Sequence, residues 1–162
     1  MSKTIVGIGG LAATNTPGDS IRTLALGSCI AIVLLHPRTR TVGMVHIALA
    51  NSSTNKKRSE TKPGSFVDTG IPALLKEMEK YGCDSNIKSF KIKIAGGASV
   101  LDPNNVFNIG KNNLIAAKNL LWSLGTGAVS EDTGVNISRN VEVEVDTGKV
   151  TISSAGRGSW EI

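Results

Sequence analysis

Aromatic side chains are scarce: two Trp, one Tyr and three Phe, or 4% of 162 residues. A core must therefore be built mainly from Ile, Val, Leu and Ala, and no row of rings is available on which nucleic-acid bases could stack. Cysteine is limited to Cys29 and Cys83. Two thiols cannot make the dense disulfide framework of a small secreted domain. Histidine is limited to His36 and His46. Two Cys and two His at these separations do not match zinc-ligand spacing, so no metal is expected, nor any other cofactor. No apolar run approaches the roughly 20 residues of a membrane span, and residues 1–20 do not read as a secretory leader. These absences predict a cytoplasmic chain with free thiols, no membrane insertion and no nucleic-acid partner. A Cys29–Cys83 disulfide is the weaker alternative.

What is present is globular in character: 40% hydrophobic and 19% charged residues. The length suits one domain over residues 1–162, with residues 1–20 as an N-terminal arm. The net charge is +5 and the pI about 9.4, which favours acidic partners without selecting one. The longest basic run, Lys56-Lys57-Arg58, lies among Ser, Thr and Asn and reads as part of a solvated loop over residues 50–64.

Ile21–Leu26 reads as a short strand. Ile30–Leu35 and Thr41–Leu49 are continuous apolar runs around the turn HPRTRT, a pattern of strands buried on both faces. Val67, Ile71, Leu74, Leu75 and Met78 follow helical spacing. A cap near Asp68 or Thr69 would put Pro72 in the first turn, where a missing N–H does no harm, and Gly82 would end the helix. FKIKI, residues 90–94, alternates like a strand with one exposed face. A second helix is expected over Lys111–Leu124, with Leu114, Ala117, Leu121 and Leu124 facing inward. VEVEV and KVTIS flank Asp-Thr-Gly as a hairpin. The fold class is therefore mixed α/β or α+β, with two main helices.

Cys29 follows Leu26-Gly27-Ser28 where a small-residue turn meets an apolar strand. It is either a small core hydrophobe or a thiol projecting at the mouth of a sheet. His46 lies 17 residues on, inside TVGMVHIAL. Alone it reads as a hydrogen-bonded core residue. A hairpin centred near residue 38 would place Cys29 opposite His46–Ala48, where an imidazole could take the thiol proton. Thr23 is a candidate to orient that ring, although by itself it is simply a β-former. His36 in its turn reads as exposed and inert, and Cys83 as a surface or half-buried bystander. Gly96-Gly97-Ala98-Ser99 could cradle a phosphate at a helix start, or simply turn the chain tightly beside another strand.

TLALGSCIAIVLLHP with GMVHIAL, FVDTGIPALLKEM, KIAGGASV, NIGKNN and EDTGVNISRNVEVEVDTGKV together resemble the chemoreceptor glutamine deamidases of the CheD family, in family order over about residues 20–153. The resemblance implies layered mixed β-sheets with flanking helices, a cysteine-hydrolase fold. It implies catalytic roles for Thr23, Cys29 and His46, with the thiol attacking receptor glutamines and releasing ammonia through a thioester. Gly27 and Ser28 are the expected substrate-binding positions, with backbone N–H groups around Ser28 and Cys29 as oxyanion donors. The implied partners are chemoreceptor cytoplasmic helices and CheC, a phosphatase of the chemotaxis response regulator. A regulatory module that docks on CheC is the alternative function. The pattern departs at Ala50, where the family's proline is expected, and at Val135 and Ser138, where members often carry glycine.

Overall fold

The apolar run after Cys29 becomes a strand with every residue from Ile30 to His36 buried. A strand can be buried on both faces only when a layer covers each one, and that requirement organises the molecule. In the computed structural model, which describes residues 1–99, 104 and 106–162, the strands are β1 (Lys3–Ile5), β2 (Leu11–Thr14), β3 (Ser20–Leu26), β4 (Ile30–His36) and β5 (Thr41–Ile47). Helices α1 (Lys56–Thr61) and α2 (Val67–Glu79) follow, then β6 (Lys91–Gly96), α3 (Ile109–Ser123), β7 (Ser130–Thr133), β8 (Arg139–Glu144), β9 (Val150–Ser154) and β10 (Gly158–Glu161).

Two five-stranded sheets form, in the orders β1-β3-β8-β9-β10 and β2-β5-β4-β6-β7. The β1–β3 and β6–β7 pairs are parallel and the other pairs antiparallel. Alternation along β4 assigns its side chains to two cores. Ile30, Ile32 and Leu34 join Ile71, Leu74, Met78, Ala117 and Leu121 of the helices. Ala31, Val33 and Leu35 join Ile21, Val141, Val143, Val150 and Ile152 of the facing sheet. The layers are thus sheet, sheet and helices, which is the mixed α/β class expected from the sequence.

The hairpin register is Ile30↔Ile47, Ala31↔His46 and Leu35↔Val42. It places Cys29 one residue beyond the last pair, on the Ala48 side, within the expected range. The VEVEV–KVTIS hairpin also forms, as β8 and β9.

Several expectations are corrected. Residues 1–20 are not a free arm: β1 pairs with β3, and β2 pairs with β5. The 50–64 loop contains α1, capped by Asn55, whose side chain accepts from Arg58 N–H. Helix α2 starts at Val67 with no side-chain cap, so Pro72 lies inside it rather than in its first turn. Pro72 is tolerated because it is exposed, where the carbonyl deprived of a partner is open to water. Leu124 ends 43% exposed rather than buried. The lysine face of β6 is not simply solvated, since Lys93 is half-buried and donates to the Ile162 carbonyl.

His36 is buried rather than exposed, 4.8 Å from Phe90 between ring centroids. Its Nδ1 lies 2.8 Å from Thr39 Oγ1 and its Nε2 3.4 Å from Asp84 Oδ2. Cys83 is also buried, with Sγ 3.4 Å from Thr39 Oγ1. Both cysteines are free thiols. Among the described residues, no helix is long and apolar enough to cross a membrane.

Candidate active site

Thr23 shares the inward face of β3 with Ile21 and is fully buried. After Thr23 the β3–β8 ladder slips through a bulge, with Ala25 at φ +57° and its N–H held by Asn140 Oδ1 at 2.9 Å. The bulge carries the chain into Gly27-Ser28-Cys29 at the ends of both sheets. His46 stands on the face of β5 that also bears Val42 and Met44, so its ring enters the layer between the sheets. Its backbone is fixed by a strand-like exchange with residues 9 and 10: Gly9 N–H donates to His46 O at 2.8 Å, and His46 N–H to Gly10 O at 3.0 Å.

The Thr23 hydroxyl decides the tautomer of that ring. Oγ1 lies 2.6 Å from the Val6 carbonyl oxygen and 2.7 Å from His46 Nδ1. A carbonyl can only accept, so the single hydroxyl proton goes to Val6. Thr23 Oγ1 must then accept, which puts the imidazole proton on Nδ1. The lone pair is left on Nε2, which is buried and has no hydrogen-bond partner among the described residues. A buried polar atom left open in this way is uncommon, and in a histidine it is a base without its acid.

Of the two thiols, Cys29 packs on the core between the sheets, the layer the His46 ring enters, whereas Cys83 belongs to the other core. The Cys29 turn precedes Ala31, the cross-strand partner of His46, so Cys29 occupies the diagonal position two residues away on the same face. The side chain is half-buried and packs on the core between the sheets. Burial raises the thiol pKa above its ordinary value, while the backbone N–H of Cys29 itself opposes that shift. Burial likewise pushes the His46 imidazole down to about 4. The resting site is therefore a neutral thiol near a neutral imidazole, with no charged pair.

Gly96, Gly97 and Ala98, at the end of β6, pack against the cysteine turn. Gly97 N–H donates to Cys29 O and Ala98 N–H to Gly27 O, both at 2.9 Å. Gly96 adopts φ +106°, and a Cβ there would stand 2.3 Å from Cys29 O. The glycines therefore clasp the cysteine turn. The phosphate-cradle reading needs a helix start directly after Ser99, and the next described helix, α3, begins at Ile109. Gly27 and Ser28 are half-buried with their carbonyls tied down, Ser28 O accepting from Asn113 Nδ2 at 3.0 Å. Sequence reasoning missed Asn113, as well as Val6, Gly9 and Gly10. A signal for Asn113 existed: it lies on the same helical stripe as Gly110, Ala117 and Leu121, where a polar residue calls for explanation. Among the described residues, no cluster of His, Cys, Asp or Glu is gathered that could hold a metal ion.

The His46 shift links the site to stability. Between about pH 4 and 6.5 the unfolded chain binds a proton that the native imidazole refuses. This stabilisation is complete above about pH 6.5 and is lost as pH falls through that window, by about 3 kcal/mol in all. Denaturant melts at pH 7 and pH 4.5 should show a larger acid loss in the native protein than in His46→Gln. Equal losses would contradict the assignment.

Comparison with known proteins agrees over nearly the whole chain. Residues 48–154 match the family described as CheD chemotactic sensory transduction. The chain is 47% identical over 162 residues to a probable chemoreceptor glutamine deamidase CheD from Syntrophotalea carbinolica, covering 100% of both chains. It is 41% identical to a protein named in the same way, CheD 1, from Syntrophus aciditrophicus, covering 96% of each chain. It is 36% identical to the chemoreceptor glutamine deamidase CheD of Thermotoga maritima, over 96% of this chain and 94% of that one. A solved structure, the hypothetical protein YfiH of Bacillus licheniformis, aligns with 76% of this chain and 49% of its own at 10% identity and TM-score 0.44. With one family match over most of its length and relatives this similar from end to end, the chain belongs to the CheD family.

Proposed function

We propose that this protein is a cysteine amidohydrolase that converts glutamine side chains of chemoreceptor cytoplasmic helices to glutamate. The observation that carries the mechanism is the Thr23–His46 pair, which holds the imidazole proton on Nδ1 and leaves Nε2 buried with its lone pair unpartnered among the described residues. The relatives' names supply the substrate class.

Cys29 Sγ attacks the glutamine amide carbon while His46 Nε2 takes the thiol proton. The amide oxygen becomes an oxyanion, met by backbone N–H groups of Ser28 and Cys29. Collapse expels ammonia, which carries away the proton held by His46, and leaves a thioester. Water then attacks with His46 again as base. The second collapse yields glutamate, and the proton returns to the thiol. Thr23 orients the base throughout. No cofactor enters the scheme, and the reaction takes place on the cytoplasmic side, where the receptor helices lie. The product gains a negative charge on a receptor helix. The net charge of +5 favours docking on acidic receptor bundles. CheC, proposed as a second partner, would dock without needing the thiol.

Thr23→Val keeps the shape and removes the acceptor that selects the tautomer. Ammonia release from a receptor cytoplasmic fragment should fall about 10²–10⁴-fold in kcat, by analogy with the loss of an orienting group in other nucleophile–histidine systems. Native-like turnover of the variant would remove Thr23 from the mechanism. No ammonia from the native protein on any receptor fragment would contradict the function itself.

A further inference from the structure

We propose that Asn113 is a positioning residue that sets the oxyanion-binding N–H of Cys29 by pinning the peptide plane between Ser28 and Cys29. The inference rests on the deamidase reading above.

Three consecutive carbonyls of the cysteine turn are tied to the segment that leads into and through α3. Gly27 O accepts from Ala98 N–H, Cys29 O from Gly97 N–H, and Ser28 O from Asn113 Nδ2 at 3.0 Å. The donors to Gly27 O and Cys29 O are backbone groups, whereas the donor to Ser28 O, between them in the chain, is a side chain. A peptide unit is planar and trans, so its C=O and the following N–H point in opposite directions. Holding the Gly27 and Ser28 carbonyls towards α3 therefore turns the N–H groups of Ser28 and Cys29 the other way. The Cys29 N–H favours its own thiolate against the effect of burial, and no backbone carbonyl among the described residues accepts from either N–H. Two open N–H groups beside a nucleophile are what a developing oxyanion requires.

The same amide reaches the base. Asn113 Nδ2 also donates to Ala48 O at 3.0 Å. The β4–β5 ladder ends at Ile30↔Ile47, so Ser28 and Ala48 lie just beyond it, where no strand pairing holds the two chains together. One side-chain NH₂ closes that gap between the nucleophile's turn and the end of the His46 strand. Both partners are carbonyls, which fixes the amide orientation, and no aspartate or leucine could make these bonds. Asn113 Oδ1 is meanwhile buried with no partner among the described residues. Packing alone would not select a residue that strands an acceptor, so the two donated bonds account for its presence. Close contact between α3 and the glycine turn makes the reach possible: a Cβ on Gly110 would stand 2.6 Å from the Gly97 backbone.

The test compares native protein, Asn113→Ala and the exposed-neighbour control Asn112→Ala. Two readouts are used: ammonia release from a receptor cytoplasmic fragment, and the pH dependence of Cys29 alkylation by iodoacetamide. Asn113→Ala should lower kcat about 10–100-fold with KM within about twofold. It should also move the alkylation inflection to higher pH, because the thiolate loses its N–H, while Asn112→Ala matches native protein in both. If Asn113→Ala does not fold, Asn113→Ser, which keeps one donor, carries the same comparison with a smaller shift in the same direction. A native-like kcat and alkylation profile in the folded variant would overturn the proposal, as would a kcat loss no larger than the loss of folded protein. If the native protein releases no ammonia, the deamidase reading fails, while the alkylation profile still tests the pinned peptide.

Discussion

Cys29→Ala should leave the fold intact and abolish ammonia release from receptor glutamines, with kcat falling by about 10⁴–10⁶-fold. The side chain is only half-buried, and Ala fits its place on the core between the sheets, so the melting transition should hardly move. The chemistry has no substitute. The other thiol, Cys83, is buried beside Thr39 among different elements, away from His46. His46 alone could at most activate a water, without the covalent step that divides the barrier in two. The variant should still bind receptor fragments and any CheC partner, because docking needs no thiol. Measurable turnover by Cys29→Ala would make the thiol a bystander.

Gly96→Ala should cause the largest loss of stability. Gly96 sits at φ +106°, and a Cβ there would lie 2.3 Å from Cys29 O and 3.2 Å from Ile30 Cα. Both obstacles are backbone, so no side chain can swing aside. Forcing the residue costs about 1–3 kcal/mol in backbone strain, and overpacking costs about 1–3 kcal/mol more. At about 2–4 °C per kcal/mol for this chain length, the sum of about 2–6 kcal/mol lowers Tm by about 4–24 °C. The cysteine turn is what must move, so deamidation should fall further than the folded fraction does. Gly127→Ala is the matched control, since nothing lies within 4 Å of a Cβ there. A thermal melt of the two variants decides it, and equal Tm values would contradict the close approach.

The central hairpin was legible because two independent signals agreed. Continuous apolar runs marked β4 and β5, and the turn between them set the register that brings Cys29 towards His46. The N-terminal strands were not legible. Lys3–Ile5 and Leu11–Thr14 are three and four residues long and rich in Thr and Ala, so pairing with β3 and β5 makes them strands, not propensity. That omission mattered for the site, because residues 6–10 hold both Thr23 and the His46 backbone. Helix α1, KKRSET, buries no residue and so gave no hydrophobic period to read. His36 was misread for the same kind of reason: its partners Asp84 and Phe90 are distant in sequence and meet it only in the fold. Thr23 was a candidate orienter on thin grounds, a β-former by itself, and the family resemblance strengthened the case for it. Its bonds to Val6 and His46 give that resemblance a physical reason. Val135, a departure from the family's glycine, adopts φ +53° beside the Gly134–Gly96 hydrogen bond. A β-branched residue is strained in that conformation, which explains why glycine suits the position.

The most direct test of the account is to run the reaction on a receptor cytoplasmic fragment with hydroxylamine present and to map the products by mass spectrometry. A thioester at Cys29 partitions between water and the added nucleophile. The account predicts glutamate and the corresponding hydroxamate at the same glutamine positions, and neither product with Cys29→Ala. Glutamate without hydroxamate, or conversion that survives loss of the thiol, would contradict covalent catalysis by Cys29.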